Sequence, residues 1–204
     1  MPLQGQPTPP HQTLCMVNGN KLSRFLSLVL RHKPEIVGIE LDHGGWADVS
    51  ELLIGCTRAG REMSRVVLDA IVADNDKQRF EFSNDGKRIR ACQGHSIHVD
   101  LGHAPCSPPS VLFHGTAHRN IDTILREGIL PITRQHVHLS TTMEAALAVG
   151  QRHGSPTVLR VASGQMYLDG IKFILSTNKV WLTASVPPQY LSGGIRPCTK
   201  GSEE

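Results

Sequence analysis

The chain has 204 residues, which is enough for one large domain or two small ones. Its formal charge of +3 and pI of about 8.7 tolerate a polyanionic partner without arguing for one. Aromatic residues make up only 4% of the chain, which counts against a protein that holds single-stranded nucleic acid mainly by base stacking.

The cysteines and the ends of the chain indicate a cellular location. Five scattered cysteines, none in C-x-x-C spacing, predict reduced thiols in a cytoplasmic protein. The N-terminal stretch has neither the basic nor the apolar region of a secretory signal, and no apolar run approaches the roughly 20 residues of a membrane helix. Residues 1–19 and 192–204 are expected to be flexible extensions.

The first predicted element is a helix. Apolar residues recur at helical spacing from Leu22 to Leu30, and the Lys33–Pro34 pair is expected to end this helix. Arg31 and His32 therefore fall at its C-terminal end, where the helix dipole favours positive charge.

Two more helices and a hairpin are predicted before residue 95. Asp48 and Ser64 are expected to cap the two helices. Residues 79–82 and 87–91 alternate around the turn S-N-D-G, which predicts a β-hairpin. Three helices followed by a hairpin predict a winged-helix domain over residues 20–95.

A second domain is predicted after a linker. Residues 96–110 carry three prolines and no helical period, so they are expected to connect two domains. Short β-rich runs alternate with two helical segments over residues 111–191, which predicts a small α+β domain with a mostly antiparallel sheet. The predicted strands span residues 111–114, 137–139, 157–161, 172–174 and 180–183, and the predicted helices span residues 118–127 and 143–152.

Four cationic residues lie at the edges of these elements. They are Arg31, His32, Arg79 and Arg134. An arginine fork donates paired hydrogen bonds to a phosphate and keeps its charge, so these residues are candidates for phosphate binding. The generic nucleotide motifs G-x-G-x-x-G and G-x-x-x-x-G-K-[ST] are absent from the sequence, so neither a Rossmann nor a P-loop site is expected.

Eight strings around these residues carry a family resemblance over roughly residues 20–190. They are S-R-F-L-S-L-V-L-R-H-K-P, G-G-W-A-D-V-S-E-L-L, N-D-K-Q-R-F-E-F, I-R-A-C-Q-G-H-S, L-F-H-G-T, H-V-H-L-S, R-H-G-S-P-T-V-L and V-W-L-T. In this order they resemble the RNA 2′-phosphotransferase (KptA) family, whose members are NAD-dependent enzymes that remove an internal 2′-phosphate from RNA.

The resemblance implies an ADP-ribosyltransferase-like second domain that binds NAD. The strings H-G-T and H-L-S, followed by Val180, look like the His–His–Val form of that fold's signature. In it the first His holds the ribose, the Gly lets the backbone approach it, and the second position packs on nicotinamide. A Val in place of the Glu of protein-modifying relatives argues against protein modification. The implied NAD-binding residues are His114, Gly115, Thr116, His138, Ser140 and Arg152.

The resemblance also implies a two-step reaction in which NAD is consumed. The RNA 2′-phosphate displaces nicotinamide from the ribose, and the ribose 2″-hydroxyl then attacks the phosphorus, which frees the RNA and leaves ADP-ribose 1″,2″-cyclic phosphate. A phosphate with a second pKa near ~6 is already a dianion, so the first step needs orientation and not a general base. The second step needs positive charge around the transferring phosphoryl group.

By the same resemblance, the four cationic residues form the clamp on that phosphate. His32 is also expected to protonate the departing oxygen, because imidazole titrates near neutral pH. The string Q-G-H-S after the hairpin is expected to contact the RNA through Gln93, His95 and Ser96. The expected partner is RNA with an internal 2′-phosphate, and no metal and no protein partner are expected.

Three alternatives remain open. A winged-helix DNA-binding regulator would need a basic recognition helix near residues 64–75, whereas Asp69, Asp74 and Asp76 oppose Arg65 and Lys77 there. An ADP-ribosyltransferase acting on phosphorylated nucleic-acid ends would use the same second domain. A zinc site has ligand types available, but their spacing matches no common finger. The residues of that zinc alternative are His95, His98, His103 and Cys106.

Overall fold

The chain folds as two compact units, Met1–Leu101 and Gly102–Glu204. The structure, a computed structural model, describes residues 10–73 and 78–195, with the backbone alone for residues 10–19 and 195. Each unit has a hydrophobic core, and the sheets are small and antiparallel. The predicted α+β class is therefore confirmed.

Three helices begin the first unit: α1 (Pro10–Arg31), α2 (Val49–Arg58) and α3 (Arg65–Ala73). The Asp48 carboxylate accepts hydrogen bonds from two backbone N–H groups of α2, and Ser64 Oγ accepts one from the Val67 N–H at 3.3 Å. Both predicted caps are thus confirmed, because each side chain satisfies N–H groups that have no intrahelical partner.

Helix α1 begins earlier than expected. The sequence placed a flexible extension over residues 1–19, whereas the backbone is helical from Pro10 onward. Proline is favoured at the first helical position because its missing N–H would have no partner there. Residues 1–9 lie outside the described residues.

The first unit also contains a three-stranded antiparallel sheet of order β1-β3-β2. Its strands are β1 (Ala47–Asp48), β2 (Phe80–Phe82) and β3 (Arg88–Ala91). The predicted hairpin joins β2 and β3, and its turn closes where the Gly86 N–H donates to Ser83 O at 2.8 Å. This order of elements is what a winged-helix domain requires, and the assignment to that fold stays a prediction.

The core of the first unit lies between the helices and this sheet. Leu26 and Leu30 of α1, Leu52 of α2, Leu68 of α3 and Ile89 of β3 are all fully buried. Each such side chain stabilises the fold by roughly 1.5–3 kcal/mol relative to an exposed one. The C-terminal end of α1 is therefore held firmly in the unit.

The segment expected to be a linker, residues 96–110, is attached to both units. Val99 is buried, and the Asp100 N–H donates to His43 O at 2.7 Å within the first unit. The Cys106 N–H donates to Phe173 O at 2.9 Å within the second. The boundary between the units thus falls inside a segment whose two halves are each anchored.

The second unit contains two three-stranded antiparallel sheets of order β4-β6-β9 and β5-β8-β7. The strands are β4 (Leu112–Ala117), β5 (Val137–Leu139), β6 (Pro156–Val161), β7 (Phe173–Leu175), β8 (Trp181–Thr183) and β9 (Leu191–Ile195). The helices are α4 (Ile121–Glu127), α5 (Met143–Gly150) and α6 (Ser163–Leu168). The two sheets meet where Phe113 and Ser140 exchange backbone hydrogen bonds of 2.9 and 2.8 Å.

Two elements of the second unit were not predicted, α6 and β9. Strand β9 pairs with β6, so residues 192–195 belong to a sheet, and the expectation of a flexible tail from residue 192 is wrong for them. Residues 196–204 lie outside the described residues. The sequence L-S-G-G-I gave no strand signal, because glycine is depleted in strands.

The cysteines with described side chains, Cys56, Cys92 and Cys106, are all free thiols. Burial raises the pKa of Cys56 to about 11, so this thiol stays protonated at neutral pH. Among the described residues, no helix has the length and apolar character that crossing a bilayer requires.

Candidate functional site

The first unit joins the end of α1 to the turn that follows the hairpin. The Ser96 N–H donates to Arg31 O at 3.0 Å, which satisfies a last-turn carbonyl that has no intrahelical donor. Ser96 Oγ lies 2.9 Å from His32 Nδ1. Three of the predicted site residues, Arg31, His32 and Ser96, are therefore brought into direct contact.

The Arg31 side chain is held inside this contact, with 9% of the residue exposed. Its guanidinium lies beside Gly94, where a Cβ would be 3.5 Å from Nη1 and 3.7 Å from Cζ. Gly94 has a φ of +90°, which side chains of L-residues rarely adopt. The backbone at Gly94 thus packs directly against the Arg31 guanidinium, which is charged at any physiological pH.

His95 is placed inside the first unit, with 2% of the residue exposed. Burial, followed by the charges of Arg31, His32 and Arg90, lowers the pKa of His95 to about 4. The ring is therefore neutral at physiological pH, and its Nε2 is buried without a hydrogen-bond partner among the described residues. The RNA contact predicted for His95 needs an accessible ring, and this burial does not favour it.

Arg79 and Gln93 lie at the open end of the hairpin. The Cys92 N–H donates to Arg79 O at 2.9 Å, so Arg79 sits opposite Cys92, next to the start of the Q-G-H-S turn. Both Arg79 and Gln93 are half-buried. Their predicted roles in phosphate and RNA binding stay predictions.

Sequence reasoning missed the residue that braces this turn, Arg90. Its guanidinium stacks over the Trp46 ring at 4.3 Å and pairs with Glu81 at 2.6 Å. It also donates to Gly44 O and Leu101 O, both at 3.3 Å. These contacts join β3 to Trp46 and to the segments of Gly44 and Leu101. The string I-R-A-C-Q-G-H-S contains Arg90, but the sequence analysis assigned it no role.

In the second unit, the signature residues follow the alternation of β4. A Cβ on Gly115 would overlap the carbonyl oxygen of Ala146 and lie 3.0 Å from the Gly150 N, because α5 packs directly on this face of the strand. His114 and Thr116 point to the opposite face. The packing of α5 is enough to explain why position 115 is a glycine. The expected close contact between this backbone and a ribose is not needed to explain it.

His114 is fixed in one tautomer. Its Nδ1 lies 3.3 Å from the carbonyl oxygen of His138, which can only accept, so Nδ1 carries the proton. Burial lowers the pKa of His114, the hydrogen bond to His138 opposes that shift, and the nearby His153 adds to it. The ring is neutral, and Nε2 is left as an acceptor.

The three parts of the signature lie on neighbouring strands. Ser140 bonds to β4 through its backbone, and His138 on β5 pairs with Leu182 on β8. Val180 immediately precedes β8, and its N–H donates to Ser176 Oγ at 3.0 Å. Thr116 is buried, and its Oγ1 accepts a hydrogen bond from Asn120 at 3.2 Å, so this hydroxyl already has a partner within the unit.

Two predicted cations of the second unit come close together. Reduced contact with water, together with the charge of Arg152, lowers the pKa of Arg134. Among the described residues of this unit, the only side-chain ion pair joins Arg126 to Glu127. Arg134 and Arg152 therefore form no ion pair with a described carboxylate. His153, which the sequence analysis missed although it follows Arg152 directly, adds to this basic character beside His114.

The structure also bears on the alternatives. No three His, Cys, Asp or Glu side chains converge as a metal site would need anywhere in the described ranges, and that includes the residues of the zinc alternative. On α3, Arg65 pairs with Asp69 at 2.7 Å and stacks over Phe82 at 4.7 Å, so its guanidinium is already engaged within the unit. Residues 74–77 lie outside the described residues.

Comparisons with known proteins agree with one another. Residues 18–185 match the model of the family described as RNA 2′-phosphotransferase, Tpt1 / KptA family. The chain is similar to a probable RNA 2′-phosphotransferase of Agrobacterium fabrum, with 56% identity over 83% of this chain and 91% of that protein. Proteins described in the same words from Hahella chejuensis and Flavobacterium johnsoniae are 54% and 51% identical, over 83% of this chain and 91% and 93% of their own lengths.

Proposed function

The chain belongs to the RNA 2′-phosphotransferase, Tpt1 / KptA family, and from this membership we propose that it transfers an internal RNA 2′-phosphate to NAD. The proposed products are RNA with a free 2′-hydroxyl, ADP-ribose 1″,2″-cyclic phosphate and nicotinamide. We also propose that the first unit is a winged-helix domain and the second an ADP-ribosyltransferase-like domain. The RNA is tRNA-like or a shorter oligonucleotide, and no protein partner is required.

The contact between the end of α1 and the Q-G-H-S turn carries this proposal. It holds a guanidinium, Arg31, with 9% of the residue exposed, next to His32. An arginine keeps its charge at neutral pH, and its planar fork matches the oxygens of a phosphate dianion. The arrangement therefore suits a phosphate that Arg31 binds and to whose leaving oxygen His32 donates a proton.

The second unit has the chemistry that NAD needs. Arg134 and Arg152 lie close together without a described carboxylate, which suits a pyrophosphate. His114 keeps its proton on Nδ1, so Nε2 can accept a hydrogen bond from a ribose hydroxyl. The half-buried His138 and Ser140 on the neighbouring strand complete the proposed site. When bound, NAD supplies the ribose carbon that takes up the phosphate.

The residues of the chain have different tasks in the two steps. In the first, the 2′-phosphate dianion forms a bond to the anomeric carbon as the bond to nicotinamide breaks, and the arginines orient the phosphate. In the second, the 2″-oxygen bonds to phosphorus as its proton passes to solvent, and the bond to the RNA 2′-oxygen breaks. His32 gives that departing oxygen a proton and regains one from solvent. Arg31, Arg79 and Arg134 stabilise the charge on the phosphoryl oxygens in this second step.

One experiment tests the proposal directly. The purified protein is incubated with NAD and an oligonucleotide that carries one internal 2′-phosphate, and nicotinamide and RNA products are measured. We expect dephosphorylation and nicotinamide release only when both substrates are present, and the same rates in EDTA, because arginines supply the charge that Mg²⁺ supplies in most phosphoryl transfers. The control is the same oligonucleotide with a 2′-hydroxyl.

Two outcomes would contradict it. Turnover without NAD would exclude NAD as the acceptor, and loss of activity in EDTA would require a metal. Oligonucleotides with a phosphate at the 5′ or 3′ end test the alternative activity. If these become ADP-ribosylated while the internal 2′-phosphate stays in place, the protein modifies nucleic-acid ends.

A further inference from the structure

The hydroxyl of Ser96 is the feature from which a further residue role can be inferred. Its backbone N–H is bound to Arg31 O at 3.0 Å, so the position of the residue is set by the end of α1. From this fixed position its Oγ reaches His32 Nδ1 at 2.9 Å, across 64 residues of sequence. The His32 ring is therefore held from one side by a group that is itself anchored.

A hydroxyl differs from the other common partners of a histidine. It can donate to a bare Nδ1 or accept from a protonated one, so it binds either tautomer of the neutral ring as well as the imidazolium. A carbonyl oxygen can only accept, and it holds the proton on Nδ1, as His138 O does for His114 in the second unit. A carboxylate also only accepts, and it favours the charged ring.

We propose that Ser96 is a positioning residue for His32, and that its hydroxyl keeps the ring oriented while the ring loses and regains a proton. The inference deepens the proposed function, because a proton transfer by His32 in the second step gives this adaptability its purpose. It replaces the RNA contact predicted for Ser96 with a role that acts through another residue.

The charges around His32 fit this role. Arg31 lies on one side, and His95, which is neutral because burial lowers its pKa to about 4, adds no second charge. Ser96 is neutral in both of its hydrogen-bonding modes. A charged residue at position 96 would add a charge in direct contact with the His32 ring and change its affinity for a proton.

The test uses the full chain and three changes at one position. Ser96→Ala removes the hydroxyl, Ser96→Thr keeps it, and Ser96→Asp replaces it with a carboxylate. Ser50→Ala, at an exposed serine of α2, is the matched control. We measure kcat, KM and the pH dependence of kcat for phosphate transfer, thermal unfolding, and the ¹⁵N signals of the His32 ring, assigned by their loss in His32→Gln.

We expect Ser96→Ala to lower kcat about tenfold with little change in KM, since it removes one hydrogen bond of ordinary strength. Ser96→Thr should recover most of that loss. Ser96→Asp should raise the His32 pKa and move the alkaline limit of kcat upward by about one pH unit. The His32 ring signals should change in the Ala and Asp variants and stay close to wild type in the Thr variant and in Ser50→Ala.

The opposite results would overturn the inference. Equal losses in Ser96→Ala and Ser96→Thr would mean that the hydroxyl is not the functional group. An unchanged kcat and unchanged His32 signals in Ser96→Ala would mean that the contact does not position the ring. If the wild-type protein transferred no phosphate, the proposed function would fail, and the ring signals alone would decide whether Ser96 holds His32.

Discussion

Gly94 of the first unit and Gly115 of the second both lie in candidate site motifs, yet they exclude a side chain for different reasons. Gly94 has a φ of +90° and lies beside the Arg31 guanidinium with ordinary van der Waals space. Gly115 has an ordinary backbone conformation but no space, because α5 packs on it. The first glycine lies against the Arg31 guanidinium, and the second allows α5 to pack on β4, the strand that carries His114.

This difference shows how each unit positions its candidate site residues. In the first unit, two chain segments meet, and the backbone of one lies against a catalytic candidate of the other. In the second, His114 is positioned by a strand that is fixed from behind by a helix. Changes in the first unit should therefore affect the reaction more than stability, whereas changes beneath β4 should affect stability more than the reaction.

The largest effects test whether cations of both units act in the same step. On the proposed function, Arg79→Ala in the first unit and Arg134→Ala in the second would each remove a bidentate donor to the transferring phosphoryl group in the second step. We expect a loss of about 2–4 kcal/mol of transition-state stabilisation in that step. Both variants should accumulate RNA with ADP-ribose attached to its 2′-phosphate, as seen by time-resolved gel analysis of a labelled substrate.

Lysine at either position should restore the second step only in part, because a point charge does not reproduce the arginine fork. If only Arg79→Ala accumulated the intermediate, the second unit would contribute to NAD binding alone. If both variants lost both steps equally, with no intermediate at any time, the assignment of these arginines to the second step would be wrong.

Gly115→Ala tests the packing beneath β4. The added Cβ would overlap Ala146 O, a backbone atom that cannot move without shifting α5. We expect a loss of about 3 kcal/mol in the free energy of unfolding and a Tm lower by roughly 10 °C. Gly170→Ala, at an open position of the same unit with a φ of +91°, is the control, and it should lose only the roughly 1–2 kcal/mol that a positive φ costs an alanine. Equal losses in both variants would contradict the packing explanation.

Acid should weaken the first unit through His95. Its pKa falls from 6.5 in the unfolded chain to about 4 in the fold, so the unfolded chain binds the proton more readily between these values. The stabilisation by the neutral ring is complete above pH 6.5 and is lost as pH falls toward 4. His95→Gln should remove about 2 kcal/mol of the stability difference between pH 7 and pH 5.

Urea unfolding of wild type and His95→Gln at both pH values measures this difference. His114→Gln provides the comparison in the second unit, where burial also lowers the pKa and should give a loss of the same sign. If wild type and His95→Gln lost equal stability on acidification, the buried ring would not be the cause.

Gly94→Ala should have the smallest effect on stability and a distinct effect on the reaction. A positive φ costs an alanine about 1–2 kcal/mol. Gly60→Ala carries the same strain at a φ of +68° with nothing within 4 Å, so its stability should fall equally while phosphate transfer continues at the wild-type rate. Only Gly94→Ala should slow the transfer, because its methyl group contacts Arg31. If Gly94→Ala and Gly60→Ala transferred phosphate at equal rates, Gly94 would have no role in the reaction.

The sequence predicted the elements whose signals are local. Asp48 and Ser64 cap the helices as expected, and the S-N-D-G turn closes the hairpin. Strand β1 is only two residues long, and β9 contains two adjacent glycines, so neither has an alternating pattern to detect. Their pairing with β3 and β6 depends on contacts that sequence periodicity does not report.

The site was predicted in part for the same reason. The family strings predicted Arg31, His32 and Ser96 as site residues, but the hydrogen bond that joins His32 to Ser96 links residues 64 positions apart. The bracing role of Arg90 depends on Trp46, which lies on another segment. The burial of His95 and the packing of α5 on Gly115 depend on tertiary structure. A sequence motif alone does not tell whether such a residue is needed for packing or for contact with a ligand.

The pairing of β9 with β6 has a practical consequence for shortened forms of the protein. The family match ends at residue 185, so a chain cut there would lack β9, which lies at residues 191–195. Strand β6 would become an outer strand, and its unpaired N–H and C=O groups would be open to pairing with other chains. We expect such a form to self-associate through β6 more readily than the full chain, in which the outer strand on that side is the glycine-containing β9.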